Sequence, residues 1–117
     1  MLIVFAALAG LAGVALSAMA AHAAGGANLD TAARFLLVHA PVLLAVAALA
    51  RIDAVQPGLG QAAGWLMVLG LVLFCGDLAM RALRETALFP RAAPIGGFLL
   101  MGGWGVLAVA AAIRLVR

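Results

Sequence analysis

Few side chains in this sequence could do chemistry at membrane depth, and the principal ones are His22, Arg34, His39, Asp77 and Arg81. Asp77 lies near the end of the apolar run Gly70-Leu71-Val72-Leu73-Phe74-Cys75-Gly76-Asp77, and Arg81 follows one helical turn later. A carboxylate among acyl chains is costly, so it faces protein or water and marks a functional site by default. Carboxylates and imidazoles are the groups that intramembrane proton relays use, which makes Asp77 with His39 a candidate proton- or ion-responsive pair. The competing reading is local. Asp77, Arg81 and Glu85 recur every four residues, so the acid can pair along its own helix. His39 can likewise bond a backbone carbonyl freed by Pro41. Polar glue of this kind is what small helical bundles use, and it is the reading favoured here.

These side chains need elements long enough to cross a bilayer. From Leu2 to Ala21 nothing is charged, enough to span a hydrocarbon core of about 30 Å. A cleavable leader is the alternative, since Ala21-His22-Ala23 fits the small-residue cleavage pattern. Against it, no Lys or Arg precedes the apolar run, and the run is long for a leader. A retained helix over residues 2–22 is therefore expected. Ala9, Gly13, Ser17 and Ala21 recur at four-residue spacing, a small-residue stripe suited to close helix contact.

His22 to Asp30 reads as a loop broken by Gly25-Gly26, with Asn28 or Asp30 able to cap the next helix. The second span is expected over residues 31–50, kinked at Pro41. Pro57-Gly58 punctuates a turn, and the third span covers residues 61–83, with Gly60 and Gly64 at close-packing spacing. Residues 84–94 form a polar connection with two prolines. The fourth span runs over residues 95–113, and its Gly96, Gly97 and Gly103 are packing candidates, Gly96 and Gly103 lying two turns apart on one face. The expected fold is all-α, four transmembrane helices in one small membrane domain over residues 1–117.

Composition agrees. Of 117 residues, 68% are apolar and 9% charged, with a mean hydropathy of +1.28; soluble domains are roughly half apolar. The net charge of +3 comes from arginines set singly at the ends of apolar runs, where their stems lie in the apolar region and their guanidinium groups reach the headgroups. Nucleic-acid binding would require a clustered basic face, and none exists. Cys75 is the single cysteine, so no intramolecular disulfide forms, and a thiol within an apolar span reads first as a packing residue. No dinucleotide-binding glycine pattern, phosphate loop, zinc spacing or nucleophile elbow occurs. No catalytic residue, metal site or cofactor is expected.

Four spans put the first and third connections on one side of the membrane. His22, Arg34, His39, Asp77 and Arg81 then share one leaflet half. At 1.5 Å per residue, His39 lies about 12 Å from Thr31 and Asp77 about 9 Å from Leu83, so a shared polar cluster is sterically reasonable. Arginine counts on the two sides nearly balance. Because Arg34 and Arg81 are embedded and offset by acids, both termini are expected to be cytoplasmic.

Four stretches carry a family resemblance: Ala15-Leu16-Ser17-Ala18-Met19-Ala20-Ala21-His22, Phe35-Leu36-Leu37-Val38-His39, Leu73-Phe74-Cys75-Gly76-Asp77-Leu78, and Ala93-Pro94-Ile95-Gly96-Gly97 with Gly103-Trp104. Together they resemble the domain-of-unknown-function 423 family, small bacterial inner-membrane proteins similar to the eukaryotic transmembrane protein 256. The chain departs from the family where Ser17 and Ala20 replace glycines, where Phe35 and Leu36 replace Tyr-Gln, and at Cys75-Gly76-Asp77. Losing Tyr and Gln removes hydrogen-bonding groups beside His39. The resemblance implies a retained first helix and a multi-pass protein of the bacterial inner (plasma) membrane. It implies no activity.

Three functions compete. The first is a non-enzymatic structural or accessory bundle, partnered by the bilayer and by its own copies or another membrane protein. The second is a small proton-coupled transporter or exporter using Asp77 and His39. Small multidrug exporters offer only a loose analogy, because they carry their acid in the first span. The third is a membrane enzyme, for which the sequence offers no paired carboxylates, metal cluster or activated nucleophile.

Overall fold

The computed structural model describes residues 1–22 and 26–117. Ala23 of the cleavage pattern and Gly25 of the helix-breaking pair lie outside the described residues. Four helices follow in order: α1 (Leu2–His22), α2 (Gly26–Arg51), α3 (Pro57–Arg84) and α4 (Ala92–Leu115). All four are long and apolar enough to cross a membrane.

The expected boundaries hold for α1 and need correction elsewhere. The loop expected through Asp30 is helical from Gly26 onward. Asp30 does not cap; it accepts from Arg34 Nε at 2.8 Å, one turn along the same helix. Pro41 lies inside an unbroken α2. Pro57 occupies the first turn of α3, where its missing N–H costs nothing and its fixed φ suits the helix. Gln56 caps this start, its side-chain oxygen accepting from Leu59 N at 2.6 Å. Pro94 likewise falls in the first turn of α4 rather than in the connection. Basic residues close every helix (His22, Arg51, Arg81 with Arg84, and Arg114), where they complement the negative end of the helix dipole.

Each helix packs on its neighbour in sequence, α1 on α2, α2 on α3 and α3 on α4. Small residues set the spacing. At Gly13, an added Cβ would stand 2.8 Å from Leu37 Cγ of α2. Gly70 of α3 and Gly96 of α4 meet backbone to backbone: a Cβ on Gly96 would stand 2.5 Å from Phe74 N and 2.8 Å from the Gly70 carbonyl oxygen. One at Gly103 would press on Met67 at 2.7 Å. α1 reaches α3 through Leu2 against Gly64 and through Phe5, edge-on to Trp65 at 5.4 Å.

Two packing expectations are corrected. Ser17 is exposed, and a Cβ on Gly97 would meet nothing within 4 Å. A strict four-residue repeat turns about 40° around the helix at each step. Ala9 and Gly13 are therefore buried while Ser17 and Ala21 have rotated off the contact. Gly97 is one residue, about 100°, away from the face that carries Gly96.

The core lies along α2 and α3, where Leu29, Leu43, Val46, Met67 and Asp77 are the largest fully buried side chains. The outer helices α1 and α4 turn long apolar faces outward, including Leu8, Leu11, Phe98 and Met101.

Candidate functional site

The five polar residues expected to share one cluster fall into separate local arrangements. His22 is exposed at the end of α1. Arg34 pairs with Asp30, both on the outer part of α2. The remaining three residues form two buried sites of different construction.

Asp77 is 0% exposed. Its Oδ2 accepts from Arg81 Nε at 2.8 Å, one turn along α3. Its Oδ1 accepts from the backbone N–H of Leu88 at 2.8 Å. Leu88 belongs to the connection between α3 and α4, which turns back beside the helix end. Two residues of that connection adopt left-handed backbone conformations to do so, Glu85 at φ 55° and Arg91 at φ 66°. The carboxylate thereby ties the connection to the helix that precedes it. A buried charge is tolerated only when paired and hydrogen-bonded, and both oxygens here have a partner. Arg81 satisfies the acid from the membrane edge, its side chain 48% exposed.

His39 is 5% exposed and bridges two helices. Its Nδ1 lies 2.8 Å from the Phe35 carbonyl oxygen. A carbonyl can only accept, so Nδ1 carries the proton. Nε2 accepts from the indole N–H of Trp104 at 3.2 Å. The two bonds together define a neutral imidazole in the Nδ1–H tautomer, since Trp has a donor and no acceptor. Phe35 stacks on the ring at 6.0 Å and Phe74 of α3 packs on Phe35 at 4.5 Å, so an aromatic chain connects α4, α2 and α3. The carbonyl freed by Pro41 plays no part: the ring bonds the carbonyl four residues before itself.

Two of these partners were hidden in the sequence. Trp104 gave no reason to be matched with His39, sixty-five positions away. Leu88 contributes only a backbone group. At the opposite end of the molecule Arg114 pairs with Asp53 at 3.0 Å, and Gln56 N donates to the Ala110 carbonyl oxygen at 3.0 Å. These contacts fix the α2–α3 turn to the end of α4. Cys75 is buried and donates weakly to the Ala32 carbonyl oxygen at 3.5 Å, bridging α3 and α2. Among the described residues no group of three or more His, Cys, Asp or Glu side chains is gathered as a metal site.

Fold and polar sites together define a helical protein built to span a membrane. The family model described as protein of unknown function (DUF423) matches residues 16–97, and the chain belongs to that family. It is 35% identical over 83 residues to the UPF0382 membrane protein YwdK of Bacillus subtilis, covering 69% of this chain and 65% of that one. It is 43% identical over 47 residues to the UPF0382 membrane protein SH2409 of Staphylococcus haemolyticus, covering 40% and 38%. The chain thus spans between 38% and 65% of the lengths of these two relatives. No solved structure matches it.

Proposed function

We propose that the protein is a non-enzymatic structural or accessory component of the bacterial inner membrane, a single four-helix domain with both termini cytoplasmic. It works through helix surfaces offered to the bilayer and to its own copies or another membrane protein. The observation that carries this reading is the saturation of Asp77. Both of its oxygens are engaged, one by Arg81 and one by the Leu88 N–H, and a transporter acid must instead be free to exchange a proton or cation with its substrate. The extensive outward apolar faces of α1 and α4 also favour a protein that acts by contact.

The experiment is reconstitution in proteoliposomes under an imposed pH gradient, with a lipophilic cationic dye as the reporter substrate. Dye and proton movement no faster than in empty vesicles supports the structural reading. Gradient-driven movement that Asp77→Asn abolishes would replace it with the transporter reading.

A further inference from the structure

α1 and α3 meet through the Leu2–Gly64 and Phe5–Trp65 contacts and then stand apart, which leaves an apolar groove floored by α2. The groove has a volume of about 300 Å³ and extends from Phe5 to Leu16 on α1 and from Val68 to Ala79 on α3. Each stretch is twelve residues, about 16 Å of helix from first to last. Leu36, Leu43 and Cys75 line it as well.

We propose that this groove binds one acyl chain of a bilayer phospholipid. Three observations select that occupant. Its length is close to the roughly 15 Å depth of one hydrocarbon leaflet. Its lining is apolar throughout, which suits a hydrocarbon chain and offers nothing to a polar ligand. A helix, about 10 Å or more across, is far too wide to enter. The Phe5–Trp65 contact closes one end. Beyond the other end, past Leu16 and Ala79, the helices continue for about 8 Å to the basic residues His22, Arg81 and Arg84, which suit an anionic headgroup. The bound lipid therefore belongs to the leaflet on the side of the α1–α2 and α3–α4 connections.

The test uses the single thiol. The protein is reconstituted in phosphatidylethanolamine/phosphatidylglycerol vesicles holding a trace of phosphatidylglycerol with a diazirine in its acyl chain, irradiated, and mapped by peptide mass spectrometry. Surrounding lipid reaches exposed residues such as Phe98 and Met101, whereas only a chain seated in the groove reaches the buried Cys75 and Leu71. Lipid adducts on Cys75 or Leu71 alongside those on Phe98 are expected, and adducts confined to exposed residues would overturn the proposal. Ala12→Phe, which fills the groove from α1, should abolish the Cys75 and Leu71 adducts and retain that on Phe98. Unchanged labelling at Cys75 in that variant would also overturn the proposal. Should the variant not fold, the wild-type map decides alone.

Discussion

Trp104 donates its indole N–H to His39 Nε2 at 3.2 Å, although no Cα atom of α2 lies within 8 Å of one in α4. The two long side chains span the gap between these helices, His39 from the buried side and Trp104, 45% exposed, from the outer side. Removing the donor with Trp104→Phe keeps the ring and loses the bond. Thermal stability in detergent should fall by about 1 kcal/mol, and by more in His39→Ala, which also loses the stacking on Phe35.

The same bond has an optical reporter. In a Trp65→Phe background Trp104 is the single tryptophan, and its emission should shift when His39→Leu removes the acceptor Nε2. Identical spectra would mean that the bond is not formed in the membrane.

Asp77 and Arg81 are unequal partners. Removing the arginine leaves a buried carboxylate with half its support, so Arg81→Ala should destabilise by about 3 kcal/mol, at the low end for a broken buried pair because Arg81 is half exposed. Asp77→Asn removes the charge but keeps an oxygen for Leu88 and should cost only about 1–2 kcal/mol. Thermal melts of the two variants give the order.

The glycines of α4 should rank by what lies opposite them. Gly96→Ala meets backbone atoms of α3, which cannot move aside, and should cost about 3 kcal/mol. Gly103→Ala meets the Met67 side-chain stem at 2.7 Å, with backbone atoms only from 3.1 Å outward, and should cost about 2 kcal/mol. Gly97→Ala meets nothing and should be neutral or gain up to about 1 kcal/mol of helix propensity. Melting midpoints of the three alanine variants check the ranking.

The helices were legible because uninterrupted apolar length is a strong signal, and Gly96 and Gly103 because two turns of spacing put them on one face. Gly70 was not legible. A lone glycine in an apolar run has no spacing partner, and its role depends on Gly96 crossing at that level. The ends of α2, α3 and α4 were misjudged for a related reason: Gly26, Pro57 and Pro94 read as breakers, yet each is tolerated in a first turn, where helix N–H groups lack internal partners anyway. The polar cluster expected from matching depth did not form as one site. Depth along the membrane follows from counting residues, but rotation about each helix and adjacency between helices follow from packing, and these separate His39 from Asp77 in their choice of partners.

The His39 and Asp77 sites are independent of each other, and double-mutant cycles on folding stability test this most directly. Asp77 with Arg81, and His39 with Trp104, should each show a coupling of about 0.5 kcal/mol or more. His39 with Asp77 shares no hydrogen-bond partner and should be additive within about 0.5 kcal/mol. A His39–Asp77 coupling as large as the other two would contradict the account and restore a joint proton-responsive site.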